Sequence, residues 1–293
     1  MTRTTLDNHV ARIERAVALM AERLREDETP TLDELAGAAA MSKFHFHRVF
    51  RLLTGETCAE AIQRLKLATG AHALARPGAR ITDAAFLAAY SSSQAFAKAL
   101  KDAVAVPASD LRADPERLAA AVATLSAPKT SGPSPVLRLE IASLDPLDVF
   151  AVTTHGRYPE LNETYVALFL AAGGPGNVRA ILGVPMGDLA SDADGAHVFV
   201  CGLVLAGPAA DPAPGMHALQ TGGGLHLLCR HAGSFAGLLD TVDALYVAAL
   251  GVPGLAFADA PPVFHYLDDP EETPEADLRT DIYLPVILPE DAR

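Results

Sequence analysis

The apolar residues of this 293-residue chain change their period once, and that change separates two kinds of structure. From Leu6 to about Leu125 they recur every three or four positions, as in Val10, Ile13, Val17, Met20 and Leu24, the spacing of one face of a helix. Beyond Pro135, short alternating or continuous apolar runs replace that spacing and predict strands. Between the two lies Ser126-Ala-Pro-Lys-Thr-Ser-Gly-Pro-Ser-Pro135, whose prolines cannot continue a helix and whose small residues need no core. The expected organisation is an all-α domain over 1–125, a linker over 126–135 and an α+β domain over 136–293.

In the first domain, Thr31-Leu-Asp-Glu34 is a capping box: the threonine oxygen and a glutamate three positions later satisfy free backbone donors where a helix begins. The pattern predicts a short helix from Leu32, a second from Lys43 to about Leu53, and a long helix from Thr57 to about Ala75. Pro77-Gly78 breaks the long helix, and a second short pair follows at about 82–89 and 92–103. In the second domain, strands are predicted at 136–141, 149–154, 197–205, 225–230 and 281–287, with helices at about 160–172 and 234–250. Gly156-Arg-Tyr-Pro-Glu-Leu161 aligns with Gly233-Ser-Phe-Ala-Gly-Leu238, and the match continues through Thr164/Thr241, Leu168/Leu245 and Phe169/Tyr246. Two copies of a strand-turn-helix unit imply pseudo-symmetric repeats with a cleft between them, where small ligands commonly bind.

The net charge of −13 argues against a polyanionic partner until its distribution is considered. Residues 1–113 hold 15 Lys+Arg against 13 Asp+Glu, and the remainder holds 8 against 23. Within the weakly basic part, no acidic residue interrupts Ser42-Lys-Phe-His-Phe-His-Arg-Val-Phe-Arg-Leu-Leu53. Phe46, Val49, Phe50 and Leu53 share one helical face and are expected to pack inward, leaving Lys43, His47, Arg48 and Arg51 outward. Such a helix can enter a groove lined by phosphates, with His47 and Arg48 on base edges and Lys43 and Arg51 on phosphate. A solvated cationic face fits the same residues equally well. His45 and His47, two apart on a helix, point about 200° apart and cannot share a metal ion.

The string LDELAGAAAMSKFHFHRVFRLLTGETCAEAIQRLKL, which starts at Leu32, resembles the first helix-turn-helix of the AraC/XylS family of transcription regulators. The string ITDAAFLAAYSSSQAFAKALKDAVAVPASDL, from Ile81, resembles that family's second unit, so the likeness covers about the first 112 residues. It implies two recognition helices in successive major-groove segments, joined by the helix at about 57–75. Lys43, Phe44, His47, Arg48 and Arg51 would form the first reader of double-stranded DNA, and Ser92, Ser93, Gln94 and Lys98 the second. The second unit departs from the family pattern: Ala89 and Ala105 stand where glycine is usual, Lys98 where arginine is usual, and Leu100 where an aromatic is usual. Lysine lacks the bidentate fork that reads guanine, so this unit is expected to be the weaker reader.

The closing stretch PPVFHYLDDPEETPEADLRTDIYLPV and the turns His155-Gly-Arg-Tyr158 and His231-Ala-Gly-Ser-Phe235 resemble GyrI-like effector-binding domains over roughly 135–288. That likeness implies a small-molecule effector held between aromatic walls, here Tyr165, Phe199, Tyr246, Phe264, Tyr266 and Tyr283, though each is also an ordinary core residue type. The family's clefts take apolar, often cationic, compounds and use a buried carboxylate, but Phe264 stands where its glutamate is expected. A cleft without a buried anion has little reason to prefer a cation, so a neutral or aromatic effector is expected. RNA polymerase is a further candidate partner for a regulator of this kind.

No apolar run approaches the roughly 20 residues of a membrane span, so a soluble cytoplasmic protein with no membrane partner is expected. Cys58, Cys201 and Cys229 lack any C-x-x-C spacing, and neither a disulfide framework, a metal site nor a cofactor is expected. Cys229 and His231 share a strand face and could form a nucleophile and base, but no orienting residue or oxyanion-hole motif accompanies them. Gly173-Gly-Pro-Gly176 and Gly222-Gly-Gly224 lack the G-K-[ST] ending of a phosphate loop and read as turns. The expected function is a regulator rather than an enzyme. Its alternatives are a body that binds or hydrolyses a small molecule behind a weakened DNA-binding head, and a protein-binding adaptor.

Overall fold

The computed structural model describes residues 3–26, 28–127, 139–155, 161–189, 198–207 and 215–288. Its contacts group the chain into two compact units. One holds Arg12–Ala39 and Phe50–Ser131; the other holds Met1–Ala11, Ala40–Val49 and Gly132–Arg293.

Eight helices occupy the amino-terminal part: α1 (Arg3–Arg25), α2 (Leu32–Ala38), α3 (Lys43–Thr54), α4 (Cys58–Leu74), α5 (Ile81–Leu87), α6 (Ser93–Val104), α7 (Ala108–Ala113) and α8 (Pro115–Ser126). The predicted capping box at Thr31 and Glu34 starts α2, and a second, Thr57 with Glu60, starts α4. The last two helices divide the stretch that periodicity alone leaves undivided. Asp114 accepts from the amides of Glu116 and Arg117, and Pro115 supplies a first helical residue that needs no donor. Phe96, Leu100, Leu74, Leu111, Leu118 and Leu125 form one core. Gly70 lets the Phe96 ring lie against α4, because a Cβ there would stand 2.4 Å from a ring carbon.

A buried ion pair ties this bundle together. Arg64 on α4 donates from Nε to both oxygens of Glu56, at 3.0 and 2.9 Å, and from a terminal nitrogen to the carbonyl of Leu125 at 2.6 Å. Glu56 is 1% exposed. The two alanines that replace the resembled family's glycines hold left-handed backbone, with φ of 55° at Ala89 and 58° at Ala105, and Ala40 does the same at 49°. A Cβ makes that conformation costly.

The carboxy-terminal part is a mixed α/β domain with an antiparallel sheet. Its strands are β1 (Glu140–His155), β2 (Val178–Pro185), β3 (Val198–Leu205), β4 (His217–Ala232), β5 (Ala256–Phe257), β6 (Val263–Tyr266) and β7 (Arg279–Ile287), with helices α9 (Asn162–Ala171) and α10 (Leu238–Leu250). The order is β4-β1-β3-β2-β6-β7-β5, and β4 also pairs with β7. The end of the strand expected at 136–141, from Glu140, and the strand expected at 149–154 are one continuous strand, since Leu144, Pro146 and Leu147 stay in register with Gly224, Gly222 and Thr221 of β4; residues 136–138 lie outside the described residues. β2 and β6 escaped the sequence reading because their apolar runs are interrupted by glycine, proline or histidine.

Gly173 and Gly174 make the turn expected of them, with φ of 83° and 100°. Gly222–Gly224 do not: they lie in the middle of β4, all three left-handed at 75°, 82° and 85°. The ladder with β1 keeps its register through these residues, and from His226 onward β4 pairs with β7 as well. Most of the expected linker, from residue 128, and the 156–160 turn lie outside the described residues.

Candidate functional site

Helix α3 is buried on more than the one face its pattern announces. Phe46, Val49 and Phe50 are fully buried, as expected, but so are His45 and Arg48. Both belong to the unit that contains α10 and β5, and their partners lie there. Arg48 donates to Asp243 on α10 at 2.8 Å, pairs with Asp188 at 3.3 Å, and lies 5.3 Å from the centre of the Tyr246 ring. His45 bonds the Tyr246 hydroxyl at 2.6 Å and the carbonyl of Ala258 at 2.9 Å, and its ring lies 5.0 Å from that of Phe257. Ser42 donates to Asp259 at 2.8 Å. Burial drives the His45 imidazole down to about 4, and it drives the Tyr246 phenol up. Arg48, expected to point outward, is therefore 2% exposed and ion-paired in this conformation.

The other residues expected on α3 differ in exposure. Lys43 is exposed and sits 5.7 Å from the Phe44 ring centre, while Phe44, His47 and Arg51 are half-buried. On α6, Gln94 and Lys98 are exposed and Ser93 is half-buried. Ser92 serves as the N-cap, its hydroxyl accepting from the amide of Ala95. Leu100, in place of an aromatic, is fully buried in the helical core.

The six aromatic residues expected to line one cleft fall into separate places. Tyr165 and Tyr266 meet edge to face with centres 6.1 Å apart, and the Tyr165 hydroxyl donates to the carbonyl of Leu182. Phe235, which sequence reasoning did not select, packs edge-on against Tyr266 at 5.4 Å. Its signal was present, since the internal repeat places Phe235 opposite Tyr158. These three rings are half-buried. Gly183 lies beside them, where a Cβ would come within 2.7 Å of the Tyr266 hydroxyl and 2.6 Å of the Phe199 ring. Phe199 and Phe264 are core residues, 2% and 0% exposed, packed on each other at 6.4 Å. Tyr246 belongs to the Arg48 cluster, and Tyr283 stands edge-on to His226.

Two carboxylates of this part are buried among the described residues, Asp188 and Asp281. Asp188 is paired with Arg48, and Asp281 takes two 2.7 Å bonds from Arg230. The Cys229–His231 pair does not form: the His231 ring bonds the Thr241 hydroxyl at 2.8 Å and the Ser234 carbonyl at 2.9 Å, so both nitrogens are engaged elsewhere. Burial raises the Cys229 thiol, which weakens it as a nucleophile. Among the described residues, no group of three His, Cys, Asp or Glu is placed to hold a metal ion, and no helix is long and apolar enough to cross a membrane.

Residues 35–114 match the family described as helix-turn-helix domain, and residues 139–287 match the GyrI-like small molecule binding domain. The probable transcriptional regulator YgiV of Escherichia coli strain K12 is 31% identical over 157 residues, which are 51% of this chain and 98% of that protein. The uncharacterized HTH-type transcriptional regulator YbfP of Bacillus subtilis strain 168 is 33% identical over 75 residues, 26% of this chain, which spans only 25% of YbfP. Among solved structures, the C-terminal domain of EcmrR is similar over 53% of this chain and 99% of that domain, with 13% identity and a TM-score of 0.44.

Proposed function

The chain belongs to the GyrI-like small molecule binding family and carries an AraC-type helix-turn-helix domain, and on that premise we propose that it is a ligand-responsive, sequence-specific DNA-binding transcription regulator. The observation that carries this reading is the presence of both matched segments in one chain, 35–114 and 139–287. The domain limits are those of the sequence: helical to about 125, linker to 135, effector domain beyond. The protein works in the cytoplasm with duplex DNA, and RNA polymerase is its further partner.

We read α2–α3 and α5–α6 as two DNA-reading units held apart by α4. Lys43, Phe44, His47, Arg48 and Arg51 carry the first, and Ser92, Ser93, Gln94 and Lys98 the second and weaker one. The exposed Gln94 and Lys98 support a role for α6, and lysine's point charge favours phosphate over base recognition there. Strand, helix and two strands occur in that order from β1 to β3, and again from β4 through α10, β6 and β7 with the two-residue β5 intervening, which supports a reading as two related halves.

The effector is a neutral aromatic compound bound at Tyr165, Phe235 and Tyr266. Supporting this, the two buried carboxylates among the described residues of the carboxy-terminal part are already held by arginines, and Phe264 is a core ring where the family carries its glutamate. An organic cation would lose its hydration there without a free counter-charge. Selection of genomic fragments with purified protein, repeated with Lys43→Ala and Lys98→Ala, tests the regulator reading. Enrichment of a shared sequence, weakened more by Lys43→Ala than by Lys98→Ala, is expected; no enrichment at moderate salt by the wild type or by a variant that frees Arg48 from its carboxylate partners overturns it. A thermal-shift screen that ranks organic cations above neutral aromatics overturns the effector class.

A further inference from the structure

A helix that reads DNA must offer its arginine to the duplex, and Arg48 is not on offer. Its guanidinium is 2% exposed and bears on three groups at once: the Asp243 carboxylate at 2.8 Å, the Asp188 carboxylate at 3.3 Å and the face of Tyr246 at 5.3 Å. One turn away on the same side of α3, His45 is fully buried and fixed by the Tyr246 hydroxyl and the Ala258 carbonyl, and Ser42 bonds Asp259. All of these residues belong to a single compact unit.

We propose that this cluster is a latch which keeps the first DNA-reading helix in a non-binding state, with Asp243, Asp188 and Tyr246 standing where DNA would otherwise meet Arg48. The carboxylates imitate the charge of a phosphate, and the latch competes with the duplex for the same guanidinium. This inference rests on the reading of α3 as a DNA-binding helix. Two features mark a switch rather than plain packing. A burial of this kind gives up hydration of one cation and one carboxylate for a pair that a hydrophobic contact of equal volume could replace without loss of stability. Two of the latch residues also sit on the element that joins the aromatic trio: Phe235 stands in the 3-10 turn Phe235–Gly237 that leads into α10, and Asp243 and Tyr246 follow on its second and third turns. A ligand stacked on Phe235 and Tyr266 shifts α10 and withdraws the carboxylate from Arg48.

The test uses the full chain and three variants, Asp243→Asn, Asp188→Asn/Asp243→Asn and Tyr246→Phe, each close in shape to the original. Arginine modification by phenylglyoxal, read by peptide mass spectrometry, measures whether Arg48 is accessible. Affinity for fragments selected from genomic DNA measures the consequence. Slow modification of Arg48 in the wild type, at least tenfold faster modification in the double variant, and at least tenfold tighter DNA binding by that variant are expected. Circular dichroism and cooperative melting confirm which variants are folded; if the double variant is not, Asp243→Asn and Tyr246→Phe each carry the same expectation at threefold or more. Arg48 modified in the wild type as fast as in the variants overturns the latch while leaving the regulator reading in place. A freed Arg48 with unchanged or weaker DNA binding overturns it as a control of DNA binding. If no form of the protein, latched or freed, binds any DNA fragment, the regulator reading fails and the latch falls with it.

Discussion

Arg64 holds Glu56 through both carboxylate oxygens with almost no water at either group, and its remaining terminal nitrogen reaches the carbonyl of Leu125. One guanidinium thus joins the turn before α4, the body of that helix and the end of α8. Removing the carboxylate leaves a buried cation with a single acceptor, a loss of about 3 kcal/mol. Glu56→Ala is expected to lower the denaturant midpoint accordingly, and the paired change Glu56→Gln/Arg64→Met to recover part of it. A change in Glu56→Ala below about 1 kcal/mol would falsify this account of the pair.

Ala89 and Ala105 occupy left-handed backbone that glycine adopts without strain. Relief of the Cβ clash outweighs the extra freedom glycine has in the unfolded chain, so Ala89→Gly and Ala105→Gly should each stabilise the protein by about 0.5–1 kcal/mol. Equilibrium unfolding in urea reads the effect, and destabilisation by both would refute the strain argument.

Burial keeps His45 neutral down to about pH 4 in the folded protein, whereas in the unfolded chain the ring takes up its proton near its ordinary value of about 6.5. Stability from this group is therefore complete above pH 6.5 and declines as pH falls from there to 4, by about 3 kcal/mol in all. The facing groups are Arg48, Asp259, the hydroxyl of Tyr246 and the carbonyls of Ala258 and Ala260. Unfolding free energies measured at pH 7.0, 5.5 and 4.5 should fall less steeply in His45→Asn than in the wild type. Equal slopes in the two proteins would mean that another group carries the acid sensitivity.

Among the aromatic residues, Phe235 and Tyr266 touch, while Tyr283 stands against His226. Loss of one ring contact with a bound aromatic is worth about 1 kcal/mol. Phe235→Ala should weaken a neutral aromatic ligand about fivefold by calorimetry, and Tyr283→Phe should leave it unchanged. The reverse order would move the ligand to the Tyr283 side.

The helical part was legible in detail because its signals are local. A capping box such as Thr31 with Glu34, a Pro-Gly break and a three-to-four apolar spacing each act within one or two turns. The strand part was legible only where apolar runs are unbroken. β2 and β6 contain Gly183, Pro185 and His265, and their pairing with β3 and β7 depends on residues far away in sequence. The site shows the same division. Charge and helical spacing picked out Lys43, His47, Arg48 and Arg51 as a set, but nothing near Arg48 announces Asp188 or Asp243, which lie 140 and 195 residues further on. The binary pattern also assumes that a helix buries one face, and α3 buries His45 and Arg48 beside its phenylalanines. Phe235 was within reach of the internal repeat, which pairs it with Tyr158.

The glycine run in β4 has a bearing on how this protein behaves at high concentration. Along Ser143–Val149 the strand β1 is bonded to β4 alone, and along Ala218–Leu225 β4 is bonded to β1 alone, so this stretch is a two-stranded arm whose outer edges pair with no other strand among the described residues. An arm of that length would ordinarily recruit strands from other molecules. Pro146 removes a donor from one outer row, and in the other three consecutive glycines hold left-handed backbone in place of the regular extended conformation. The arm is thereby a poor template for a neighbouring chain, and the residues that shape the sheet also protect it from assembling into fibres.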